Sequence, residues 1–284
     1  MSGMASMTRV SDRIIGRFSN PQNRNQGSPR AFFCVSALVF VASVALTIVW
    51  CRSMSAMGRM RMPGGWIMSM AWMRMPGQSW FGASGSFVGM WTVMMLAMMM
   101  PCLVPMLTRY RRAVEETGKT HLGRLTALVG SGYFFVWTVF GVVTYALGVA
   151  LSRLEMQQLA LARAVPISIG VVILIAGLFQ FTSFKARHLA CCLQKPECGR
   201  TMPADTATAW RHGLRLGLDC SYCCAGLMAI LLVMGVMNLG AMAVVAALIN
   251  VERLAPVTMR VVQAIGVLVI ASGSFLIARA AGIA

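Results

Sequence analysis

An all-α bundle of membrane-spanning helices, about seven of them with six as the alternative, is what this chain predicts. Only 12% of its 284 residues are charged, against about 25% in soluble domains, and its mean hydropathy is +0.71. Uncharged apolar runs of about 20 residues, the length an α-helix needs to cross a bilayer, recur along it. Lys and Arg gather on alternate connections, as the positive-inside bias requires. The stretches without a span, residues 1–30, 51–82 and 185–211, are each too short for a core of their own. The expected organisation is a disordered tail over residues 1–30 and one transmembrane domain over 31–284.

The tail carries Arg9, Arg13, Arg17, Arg24 and Arg30 among Ser, Asn, Gln, Pro and Gly. That composition cannot bury a core and reads as a basic cytoplasmic segment. It also resembles a transit peptide, but the apolar run that follows is too long for a signal peptide. The expected spans are Ala31–Trp50, Ser84–Leu107, Leu125–Leu151, Ala164–Phe184, His212–Met234, Val236–Ala255 and Val261–Ala278. A tight turn near Gly235–Gly240 joins the fifth to the sixth. With the N-terminus in the cytoplasm, inner segments hold 18 Lys and Arg and outer segments 7, which favours a bacterial inner-membrane protein with its N-terminus inside. The block from His212 to Ala255 also accommodates one span plus a re-entrant segment, which gives six crossings.

The net charge of +17 does not point to nucleic acid, because basic residues anchor the cytoplasmic connections of polytopic proteins. The expected partners are the lipid bilayer and a metal ion, with a protein partner or a homo-oligomer left open. Nine cysteines do not make a disulfide framework, since only Cys51 falls on the outer side of this topology. Metal chemistry, redox chemistry or packing remains for them.

The densest sulfur lies in the fifth span. Cys220, Cys223 and Cys224 stand at i, i+3 and i+4, so their side chains share one helical face, with Met228 a turn further on and Asp219 beside them. Asp219 can pair with Arg215 four residues earlier. Glu252, next to Arg253, reads as a solvated residue at the inner end of the sixth span.

A second group is the cytoplasmic connection, where His188, Cys191, Cys192 and Cys198 fall within 11 residues, a spacing one soft metal can use. Lys185, Arg187 and Lys195 favour thiolate there. Cys220 lies about 7.5 Å beyond Arg215 along the helix, at 1.5 Å per residue. A surface connection reaches that depth, so His188, Cys192 or Cys198 can complete one site with Cys220, Cys223 and Cys224.

Methionine supplies the rest. Met60-Arg-Met-Pro-Gly recurs as Met73-Arg-Met-Pro-Gly in the outer loop, placing Met60, Met62, Met73 and Met75 in close pairs. Thioethers are neutral soft ligands that select Cu(I), although methionine with Trp66 and Trp80 also suits a plain interfacial loop. In the second span Met90, Met94, Met98, Cys102 and Met106 recur every fourth residue, a stripe drifting about 40° per step. It serves either as a sulfur ladder leading inward or as helix packing. Cu(I) is thus the first expected cargo and zinc the second. No catalytic residues emerge, and the absence of a P-loop, a dinucleotide fingerprint and H-E-x-x-H makes an enzyme the less favoured class.

Trp91–Pro101 (WTVMMLAMMMP), Gly132–Trp137 (GYFFVW), Ala176–Lys185 (AGLFQFTSFK) and His212–Asn238 together resemble a bacterial domain-of-unknown-function family of predicted metal-binding integral membrane proteins. The likeness covers most of the chain from the second span onward and implies metal binding. That family's Cys-x-x-Cys-Cys maps onto Cys220, Cys223 and Cys224. Its Cys-Leu-x-x-Cys reads His188-Leu-Ala-Cys191-Cys192 here, so a histidine stands for the first cysteine. The rival readings are a non-catalytic assembly protein, with Gly213-x-x-x-Gly217 as its helix contact, and a thiol redox protein using Cys220 and Cys223.

Overall fold

The computed structural model describes residues 29–56, 60–61, 67–68, 72, 77–115, 121–192, 205–255 and 258–282. These form α1 (Pro29–Ala56), β1 (Met60–Arg61), β2 (Ile67–Met68), α2 (Trp80–Glu115), α3 (Leu122–Gln157), α4 (Leu159–Phe179), α5 (Ser183–Cys192), α6 (Thr206–Met234), α7 (Leu239–Leu254) and α8 (Thr258–Ala280). The two strands are a two-residue antiparallel pair, Met60 opposite Met68. The rest is helical.

Among the described residues, five helices, α1, α2, α3, α6 and α8, are long and apolar enough to cross a membrane, and the bent pair α4 and α5 makes up to six. The sixth expected span, Val236–Ala255, does not join them. Its helix α7 has 16 residues, about 24 Å at 1.5 Å per residue, short of the ~30 Å hydrocarbon core. The apolar run continues from Met234, but Gly235 at φ +102° breaks it into a turn, and Asn238 then caps α7 by accepting from the Ala241 amide at 3.1 Å. The fourth expected span also ends early. A break after Phe179 turns the chain by 66° into α5, so residues 185–192, expected in a connection, are helix.

Helix directions follow from which residues meet. Trp91 donates through Nε1 to Trp137 O at 2.9 Å and Phe87 packs on Tyr145, so α2 and α3 are antiparallel. α3 and α6 run parallel and very close: a Cβ on Gly213 would lie 2.3 Å from Val129 O, and one on Gly217 2.9 Å from Tyr133 O. Glycine is what allows that approach. The Gly213-x-x-x-Gly217 face is therefore used inside the chain, against α3. α4 and α8 form a second close seam, with Gly170 against Gly273 and Gly177 against Ile270. α7 descends alongside α2, where Asn250 Nδ2 donates to Met98 O at 3.1 Å. The outer faces of α1, α3 and α8 are apolar and exposed, as at Leu38, Val142, Leu147, Leu268 and Phe275.

Candidate metal centre

α7 stops where its last turn meets the sulfur-bearing turns of α2, α5 and α6, and that meeting makes the site. Cys102 is buried on α2, Cys192 on α5, and Cys220, Cys223 and Cys224 on α6. Their common neighbour is Arg253, itself 4% exposed. Its Nη2 donates to Cys223 Sγ at 3.1 Å, Cys224 Sγ at 3.5 Å, Cys192 Sγ at 3.6 Å and Cys220 O at 3.5 Å. Its Nη1 reaches Cys102 Sγ at 3.7 Å. Cys220 Sγ pairs with Tyr133 Oη at 2.8 Å. Cys223 and Cys224 sulfurs are 3.9 Å apart.

A buried ionic network adjoins this cluster. Lys185 Nζ pairs with Glu252 Oε2 at 2.7 Å and also donates to Gln180 Oε1. Gln180 closes α4 and Lys185 lies in the first turn of α5, so the 66° bend lets Lys185 reach both Gln180 and Glu252 at the end of α7. Taking two charges out of water costs several kcal/mol per ion, which the pairing offsets only in good geometry. Among the described residues, Glu252 Oε1, Gln180 Nε2 and Arg253 Nε have no hydrogen-bond partner. A segment that buries two cations, one carboxylate and a set of thiols within one bundle is not built for packing economy.

Two expectations change here. Glu252 is not solvated but buried, because α7 ends inside the bundle and Lys185 meets it. Asp219 pairs with His188 Nδ1 at 3.0 Å and not with Arg215. His188 therefore stands one turn before Cys192 on α5, as Asp219 stands one turn before Cys223 on α6. It is half-buried, in ring contact with Phe184 and Tyr222.

Of the sulfur residues picked out from sequence, Cys220, Cys223, Cys224, Cys192 and Cys102 come together. Met94 and Met98 are buried on α2, two turns and one turn before Cys102. Cys191 is half-buried and is not among the hydrogen-bond partners of Arg253, and His188 is held by Asp219. Met62, Met73, Met75 and Cys198 lie outside the described residues, and of Met60 only the backbone is described, in β1. The residue that sequence reading missed is Arg253. Its signal was an adjacent Glu-Arg pair closing an apolar segment, read as an interface anchor. Among the described residues no three His, Cys, Asp or Glu side chains already converge as a ligand set; the guanidinium lies among the thiols.

The profile of the copper chaperone family PpoB2 matches residues 88–276. The chain belongs to that copper chaperone family. The matched region includes Cys102, Cys192, Cys220, Cys223, Cys224 and Arg253 and leaves out α1 and the methionine loop. It agrees with the metal-related part of the sequence resemblance, and it is a copper chaperone family that matches, not one of unknown function. No curated protein and no solved structure matches the chain. Within the copper chaperone region, the motifs that carried the resemblance converge on the site. Tyr133 of GYFFVW pairs with Cys220, and Lys185 of AGLFQFTSFK pairs with Glu252 while donating to Gln180 of the same motif.

Proposed function

We propose that this protein is an integral inner-membrane copper handler that carries Cu(I) on the buried thiols of α2, α5 and α6. The observation that carries the reading is the junction itself: four cysteine sulfurs, from three helices, within 3.7 Å of one guanidinium. The donor chemistry fits. Thiolates are soft ligands that select Cu(I), and zinc is the second choice. A separation of 3.9 Å between Cys223 and Cys224 is one that a single ion can bridge, since two metal–thiolate bonds of about 2.3 Å each span at most ~4.6 Å.

In this reading Met94 and Met98 line the approach to Cys102 from one end of the bundle, and Met60, Met62, Met73 and Met75 collect the ion outside. His188, oriented by Asp219, serves the other end with Cys191 and Cys198. A carboxylate on Nδ1 fixes the imidazole so that Nε2 is presented to an incoming ion. The apolar outer faces meet lipid, the 1–30 tail is cytoplasmic, and residues 31–284 form one membrane domain. Lys185 and Arg253, which the charge count assigned to the inner face, are buried, and leaving them out keeps the bias in the same direction.

Copper bound per chain, measured anaerobically against a competing Cu(I) chelator, tests this. Wild type holds copper, and Cys223→Ser with Cys224→Ser loses at least about a hundredfold in affinity, while an unchanged elution volume shows the fold intact. Equal retention by wild type and the double variant removes the site.

A further inference from the structure

Resting on the copper reading above, we infer that Arg253 is a specificity residue: its fixed positive charge makes the thiol site electrically neutral for a monovalent ion and not for a divalent one. The argument is charge balance in a medium that solvates charge poorly. Lys185 and Glu252 cancel each other at 2.7 Å. Asp219 is held by His188, a turn away and partly open to solvent. Among the described residues, the uncompensated charge at the thiols is therefore the guanidinium.

Cys223 and Cys224, 3.9 Å apart, both face Nη2. When a monovalent ion displaces their two protons to water, the resulting complex carries one negative charge, and Arg253 cancels it. A divalent ion on the same two thiolates is neutral, and Arg253 leaves a net positive charge buried. That ion has to recruit and ionise a third thiol, Cys192 or Cys102, to reach the same balance. Uncancelled charge in a low-dielectric interior is costly enough to decide between the two ions. The guanidinium suits this role because it stays protonated in any protein environment and its fork reaches several acceptors at once.

The test uses the full-length protein in detergent, with Cu(I) and Zn(II) titrated separately against chelators. Arg253→Lys keeps the charge, Arg253→Gln keeps donors without charge, and Arg253→Met keeps only bulk. We expect Arg253→Lys to hold Cu(I) within about threefold of wild type. Arg253→Gln and Arg253→Met lose about thirtyfold or more for Cu(I), the loss typical when one member of a buried charge pair is removed, with Zn(II) affinity unchanged or higher. If Arg253→Met does not fold, the Gln and Lys variants carry the comparison. Cu(I) affinity in Arg253→Gln equal to or above wild type, with an unaltered Cu(I)-to-Zn(II) ratio, overturns the inference while leaving the copper site standing. No Cu(I) binding by wild type overturns both.

Discussion

The α4–α8 seam and the junction around Arg253 are both interior, and they are built on opposite principles. In the seam, Gly170, Gly177 and Gly273 let two apolar helices touch backbone to backbone, and dispersion with close packing suffices. At the junction, Lys185, Glu252, Arg253 and the cysteines are buried together, and three polar atoms there have no partner among the described residues. The same bundle holds both a packing that buries only apolar surface and one that buries charge. The polar junction is thus the region on which the copper proposal rests, and the seam is a region that close packing accounts for.

The largest effect should come from splitting the buried ion pair. Lys185→Met leaves Glu252 charged and alone, and thermal unfolding in detergent should register a loss of about 3–5 kcal/mol. Adding Glu252→Gln should recover most of it, because two neutral groups replace one orphaned charge. If the double variant is no better than the single, the junction is not an electrostatic unit and the contrast with the seam collapses.

Next in size is the seam. A side chain at Gly273 would place Cβ 2.7 Å from Leu174 N and 3.0 Å from Gly170 O, and backbone cannot yield as a side chain can. Gly273→Leu should cost about 1–3 kcal/mol and leave copper affinity per folded molecule unchanged. Lost copper binding in that variant would mean the two regions are coupled.

The smallest effect separates packing from transport within one helix. Met94→Leu with Met98→Leu conserves volume in the buried stripe, so stability should stay within about 1.5 kcal/mol of wild type. Copper loading into proteoliposomes should slow, because leucine offers no thioether. Unchanged loading would leave those methionines as packing alone.

Much of the architecture was legible beforehand, for physical reasons that also mark where it stopped. Apolar runs of bilayer length announced α1, α2, α3, α6 and α8, and the i, i+3, i+4 spacing put Cys220, Cys223 and Cys224 on one face. The shortness of α7 was hidden because hydropathy runs on through Gly235, whose positive φ turns the chain. The bend after Phe179 was equally silent, although it is what delivers Lys185 and Cys192 to the site. Arg253 and Glu252 were misplaced because charge at the end of an apolar segment ordinarily marks an interface. Only a helix that ends inside the bundle reverses that reading. Cys102 had been grouped with the methionine ladder by its four-residue period, and the junction gives it a second affiliation, with Arg253.

Copper K-edge X-ray absorption of the anaerobically loaded protein tests the central claim most directly. Buried thiols holding Cu(I) predict a cuprous edge with sulfur as the nearest neighbours and no nitrogen shell, lost in Cys223→Ser with Cys224→Ser. A nitrogen- or oxygen-dominated shell, or a sulfur shell that the double variant retains, would contradict it.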